Sequence, residues 1–119
     1  MSKIKGKHLI IDLYDIEGEK LEDLQVIRKL LRNLPKKLKM RPLTKAIVKK
    51  VASEYYPNWG ISGFVMLYES HISIHVWPEK GYVAMDVYSC KDFNHKEVIK
   101  FLKEYWGYKK MKVKVIMRG

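Results

Sequence analysis

YESHISIHVWPEKGYVAMDVYSC, Tyr68 to Cys90, carries two strand-like runs around a single turn signal. On both sides of Pro78-Glu79-Lys80-Gly81 the residues read as strand, and proline followed three residues later by glycine suits a tight turn. The stretch is therefore a long hairpin. If the turn pairs Pro78 with Gly81, the ladder sets Trp77 opposite Tyr82, His75 opposite Ala84 and Glu69 opposite Cys90. Directly opposed Cβ atoms lie about 5 Å apart, so the only thiol of the chain falls beside the Glu69–Ser70 peptide bond. A slip of one residue would undo that juxtaposition, because it turns every side chain to the other face.

Around the hairpin, Leu9, Ile11 and Leu13 alternate within His8–Tyr14 as a first strand. Leu21, Leu24, Ile27, Leu30, Leu31 and Leu34 recur at helical spacing and stop at Pro35, which predicts an amphipathic helix followed by a basic connector, Pro35–Pro42. Leu43–Ala52 and Ile61–Tyr68 are β-rich. Asn94 with Glu97 three residues on forms a capping box, and Val98, Ile99, Leu102 and Tyr105 then share a helix face until Gly107. Met111–Met117 alternates lysine with valine and methionine, a last strand. The order predicts one domain, 1–119, of the α+β class: a two-layer sandwich in which a mostly antiparallel sheet carries two helices on one face. Strand residues of both parities are rather apolar, so the uncovered face is expected to meet a second copy in a homodimer.

Composition narrows the function classes. The 119 residues are 47% hydrophobic, enough for one modest core. The apolar runs are far shorter than the ~20 residues that span a bilayer, and Asp12 interrupts the first of them, so no membrane partner and a cytoplasmic location are expected. The net charge of +11 raises nucleic acid as a partner. However, the basic residues are interleaved with Glu and Asp, and one Gln and three Asn beside 24 Lys+Arg fit a solvated thermophile surface instead. Cys90 cannot form an internal disulfide and is either an inert core thiol or a chemical group.

The hairpin excludes two chemistries by geometry. His71 and His75, four apart on a strand, are separated by ~13 Å and cannot share an ion, so no metal is expected. Ser70 lacks the glycine-flanked elbow of serine hydrolases. His75 lies ~16 Å along a regular strand from Ser70, so it reaches that serine by a bend or serves a partner subunit.

Here the residues carry a resemblance. Glu69-Ser70-His71-Ile72-Ser73-Ile74-His75, then Trp77-Pro78-Glu79, Gly81-Tyr82, Asp86-Val87 and Cys90, resembles the processing and active-site segment of the prokaryotic S-adenosylmethionine decarboxylase proenzymes. Gly60-Ile61-Ser62-Gly63 is similar to a glycine-serine-glycine stretch of that family, and Gly6-Lys7-His8 with Asp12 to its first strand. The resemblance implies self-cleavage between Glu69 and Ser70 into a beta chain, 1–69, and an alpha chain, 70–119, with Ser70 converted to a pyruvoyl cofactor that holds the substrate as a Schiff base. It implies His75 as the acid/base of processing and Ser62 as its helper at the tetrahedral oxyanion. It also implies Cys90 as proton donor to the product carbon. Tyr56 would lie near the adenine, where aromatic rings suit a flat π-system and a sulfonium cation, and Glu79 near the ribose hydroxyls. The implied product, decarboxylated S-adenosylmethionine, serves polyamine and spermidine biosynthesis.

Two positions depart from the family pattern: Val76 stands where threonine is common, and Lys91 follows Cys90 where glycine is common. Relatives with this fold decarboxylate arginine by the same pyruvoyl chemistry, so an arginine decarboxylase stays open as the alternative. A non-enzymatic basic RNA-binding module is a different class, distinguished by an uncut chain and an affinity that falls steeply with salt.

Overall fold

Alternation of period two sorts the strand residues onto two faces, and one of those faces is predominantly apolar. The computed structural model describes residues 5–53 and 56–119, with only the backbone of 53 and 56–58. Among the described residues there are six strands and two α-helices: β1 (Gly6–Tyr14), α1 (Leu24–Lys37), β2 (Ile47–Ser53), β3 (Tyr56–Met66), β4 (Ser70–Trp77), β5 (Tyr82–Ser89), α2 (His95–Trp106) and β6 (Lys110–Arg118). The strands form one sheet in the order β2-β3-β4-β5-β1-β6, with antiparallel neighbours throughout. Leu9, Ile11 and Leu13 of β1, Ile72, Ile74 and Val76 of β4, and Val83, Met85 and Val87 of β5 are buried on one face. They join Ile27, Leu30, Leu31 and Leu34 of α1 and Val98, Leu102 and Trp106 of α2 in a single core. Each such aliphatic side chain removed from water contributes roughly 1.5–3 kcal/mol. This is the expected two-layer sandwich.

Asp23 caps α1, its carboxylate accepting the Gln25 N–H at 2.8 Å, and Asn94 caps α2, its side-chain oxygen accepting the Lys96 N–H at 3.0 Å. The first helix does not stop at Pro35 as the sequence predicts; it runs to Lys37 with Pro35 inside. Pro35 sits in the last turn, where its ring is buried and its missing N–H costs a single intrahelical bond. The turn then closes on Leu38 N–H to Leu34 O (3.1 Å) and Met40 N–H to Pro35 O (2.8 Å).

The β4–β5 hairpin has the register read from its turn: Trp77 pairs Tyr82, His75 pairs Ala84 and Ser70 pairs Ser89. A short 3-10 turn, Pro78–Lys80, closes it, and Gly81 follows at φ 60°. Gly81 O accepts the Ile16 N–H at 3.1 Å, and a Cβ on Gly81 would lie 2.4 Å from the Ile16 carbonyl oxygen. Only glycine suits both the left-handed backbone and the close approach.

The uncovered face, which the sequence reads as rather apolar, is polar at its centre. Its centre carries His8, Asp12, Ser62, His71, Ser73, His75 and Asp86 among aromatic rings, while exposed apolar side chains gather toward β2 and β3 at Ile47, Val51, Phe64 and Met66. Reading strands by apolar content alone overlooked how many polar groups sit at the outward parity. Among the described residues, no helix is long and apolar enough to cross a membrane.

Candidate active site

The head of β4 is built by a tight reversal after β3: Leu67 N–H donates to Ser70 O at 2.8 Å, which leaves Tyr68 and Glu69 exposed at the bend. The last rung of the hairpin then falls on the Glu69–Ser70 peptide. Cys90 N–H donates to the Glu69 carbonyl at 2.9 Å. Ser70 and Ser89 face the covered side, both buried, and Ser70 Oγ donates to Ser89 Oγ at 2.6 Å. Ser89 Oγ also accepts the Lys91 N–H at 2.9 Å. Two hydroxyls in an apolar layer must find partners, and here each supplies the other's. The arrangement sets the buried hydroxyl of one residue next to the carbonyl of the residue before it, whose oxygen already receives an N–H.

Cys90 lies just past β5 on the side of Tyr88, exposed, with Sγ 3.5 Å from Tyr88 Oη. That hydrogen bond, helped by partial burial, pushes the Tyr88 phenol above its ordinary range. A cavity of about 190 Å³ opens beside the thiol, lined by Lys5, Lys7, Lys91 and Asp92 with Gly6, Ser89 and Met117.

Ser62 and His75 form a second group. They are directly paired across β3 and β4, with Ser62 Oγ 3.0 Å from His75 Nδ1, and they line a cavity of about 170 Å³ with Gly60, Val76 and Trp77. The strand shows no bend that would carry His75 to Ser70 in the same chain: the two are five residues apart in β4, on opposite faces and ~16 Å along it. Stacked rings continue from this group, Trp77 on Tyr82 and Tyr82 on Tyr14, each with centroids 5.3 Å apart. Tyr82 Oη donates to Asp12 at 2.7 Å. Burial first, and then the hydrogen bond and charge of Asp12, push its phenol up to about 12.

Glu79 is exposed on the hairpin turn, at the His75 end and remote from Ser70. The side chain of Tyr56 lies outside the described residues, although its backbone opens β3 opposite Ser53. Sequence reasoning missed three features. Ser89 was available from the predicted ladder, which puts it opposite Ser70. Tyr88 was available as the residue two before Cys90 on the same side. The trio in which Asp86 accepts Ser73 Oγ (3.2 Å) and meets His8 Nε2 (2.9 Å) needed the β1–β5 pairing, for which no local signal exists.

A six-stranded antiparallel sheet backed by two helices, with a buried serine pair and an exposed thiol on opposite sides of one hairpin end and a serine–histidine pair on the open face, defines an α+β two-layer enzyme. A family model described as S-adenosylmethionine decarboxylase matches residues 7–119. The chain belongs to that family. It is 37% identical over 118 residues, 98% of this chain and 97% of the other, to the S-adenosylmethionine decarboxylase proenzyme of Clostridium botulinum (strain Langeland). It is 38% identical to the proenzyme of the same name from Persephonella marina, covering 100% of this chain and 86% of that one. Among solved structures it is similar to the adenosylmethionine decarboxylase of Aquifex aeolicus, with a TM-score of 0.82 at 28% identity over 99% of this chain and 93% of that one.

Proposed function

We propose that the chain is a proenzyme that cuts itself between Glu69 and Ser70 and then decarboxylates S-adenosylmethionine, releasing CO2 and decarboxylated S-adenosylmethionine for polyamine synthesis. The observation that carries this reading is the rung at which Cys90 N–H holds the Glu69 carbonyl beside the buried Ser70 hydroxyl, in a chain of this family. In the cut, Ser70 Oγ attacks the Glu69 carbonyl carbon and the peptide C–N bond breaks as the C–O ester bond forms. The Cys90 N–H lies where negative charge develops on the carbonyl oxygen, and Ser89 holds the hydroxyl's orientation. Loss of the Ser70 Cα proton then expels Glu69 as a carboxylate, and hydrolysis with loss of ammonia leaves a pyruvoyl group on residue 70.

The residues around Ser70 fit such a group, since the end of the hairpin supplies Ser89 and Cys90 within hydrogen-bonding reach of the Glu69–Ser70 segment. When present, the pyruvoyl group supplies an electron sink for loss of CO2. Cys90, exposed beside its cavity, gives the proton to the product carbon. Trp77, which lines the cavity shared with Ser62 and His75, offers aromatic surface to adenine and sulfonium, and Glu79 offers acceptors to ribose hydroxyls. Tyr56 belongs to the same substrate subsite by family likeness.

Because His75 and Ser62 are hydrogen-bonded to each other yet remote from Ser70 along β4, the reading includes a homodimer whose open faces meet. In it, Ser62 and His75 of one protomer serve the partner's Ser70 as helper and acid/base. Incubating purified protein with labelled S-adenosylmethionine and labelled arginine in parallel tests the whole proposal. The expected result is two fragments, 1–69 and 70–119, with CO2 released from S-adenosylmethionine. CO2 from arginine instead would favour the alternative substrate, and an uncut chain binding RNA in a salt-sensitive way would favour the binding module.

A further inference from the structure

Tyr88 is gripped more firmly than its place on an open sheet face requires. Its ring lies under the Arg118 guanidinium at 5.0 Å, beside His71 at 5.6 Å and edge-on to His8 at 6.2 Å, contacts from β6, β4 and β1 respectively. Its hydroxyl end rests on Gly6, where a Cβ would come within 2.4 Å of Oη and 2.7 Å of the ring. The missing side chain of residue 6 is the cradle into which the phenol fits. All of these contacts aim one atom, Oη, at Cys90 Sγ, 3.5 Å away.

We infer that Tyr88 is a positioning residue for Cys90: its hydroxyl donates a hydrogen bond to the thiolate that remains once the thiol has given its proton to the product carbon. The inference rests on the reading of Cys90 given above. The S–H bond breaks, the proton goes to carbon, and the electron pair stays on sulfur. The phenol keeps its own proton and stabilises that sulfur, which is then reprotonated by water entering through the cavity that Cys90 lines. A neutral O–H is a good donor to an anion, and the upward displacement of the Tyr88 pKa, caused first by its hydrogen bond to Cys90, keeps the phenol protonated for this purpose. Lys5, Lys7, Lys91 and Asp92 also face the thiol's cavity, so the local charge is net positive without Tyr88. What Tyr88 adds is a directed donor at a fixed position.

The test is the rate at which iodoacetamide alkylates Cys90, the only cysteine of the chain, followed by mass across a pH series. It is run on the processed protein and, free of cleavage and turnover, on Ser70→Ala chains. Tyr88→Phe keeps the ring and loses the donor. Alkylation at pH 7 should fall roughly tenfold, the scale of one hydrogen bond to a charged acceptor, and the pH of half-maximal rate should move upward. In the processed enzyme kcat should fall while KM holds. Gly6→Ala, which displaces the phenol without removing it, should act in the same direction. An alkylation profile in Tyr88→Phe identical to that of the parent protein would overturn the inference, since packing alone would not move it. If Cys90→Ala retained full activity while the alkylation shift was seen, the proton-donor reading would fail and the Tyr88–Cys90 pair would stand.

Discussion

Ser62 Oγ and His75 Nδ1 meet at 3.0 Å across the β3–β4 ladder, on the opposite face of the sheet from Ser70. A pair already hydrogen-bonded within one chain, but remote from the peptide it is expected to act on, suits a site completed by a second copy. Co-expressing Ser70→Ala and His75→Ala chains checks this. The His75→Ala chain should stay uncut alone and be cut in the mixture, where the other chain lends it His75. Absence of cutting in mixed dimers, with dimerisation confirmed by light scattering, would show that each chain acts on itself.

Ser70→Ala should leave one uncut chain on a denaturing gel, because alanine has no oxygen to receive the acyl group. Its fold should survive, since only a partner of Ser89 is lost, at a cost of about 1 kcal/mol.

Cys90→Ala should still yield both fragments, because the Cys90 contact with Glu69 is made by its backbone N–H. Product formation should drop by roughly two orders of magnitude or more, the usual scale for loss of a positioned proton donor. A fully active, cleaved Cys90→Ala protein would return Cys90 to the role of a bystander.

Ser89→Ala removes the side-chain acceptor that holds Ser70 Oγ. Cleavage followed by gel over time should slow roughly fivefold, the equivalent of about 1 kcal/mol, without being abolished. An unchanged rate would mean that the hydroxyl is oriented by something else.

Stability should decline in strong base through Tyr82. Its phenol is pushed from 10.0 up to about 12 in the folded state, so the folded chain holds that proton more tightly than the unfolded one. The resulting contribution is complete below the unfolded value near 10 and is lost as pH rises through the folded value. Tyr82→Phe has no such proton to lose, and its melting temperature should fall less between pH 10 and 12. Parallel slopes for the two proteins would argue against the assignment.

How far the sequence could be read depended on the range of the interaction. The hairpin was legible to the residue because Pro78 and Gly81 fix the turn and a ladder then has no freedom, which is why Cys90 could be set beside Glu69. The two helices followed from periodicity, but the end of α1 was misplaced, since a proline in the last turn gives up only one bond. The open face was misjudged for a different reason. The identity of His8, Ser73 and Asp86 as one hydrogen-bonded trio depends on β1 lying against β5, which brings together His8 and Asp86 from 78 residues apart. Ser89 was within reach of the ladder and was overlooked because a small residue at a strand's end gives no signal until its partner is known.

The position of β1, inserted between β5 and β6, has a consequence for a chain severed after Glu69. One piece would own β1, β2 and β3, the other β4, β5 and β6, so the two are interlaced like fingers, joined at both edges of β1 and again where β3 meets β4. Neither can slip out without unzipping three seams together. Scission would therefore act as a ratchet: the weave is made while the polymer is continuous, and reweaving afterwards requires two separate molecules to collide.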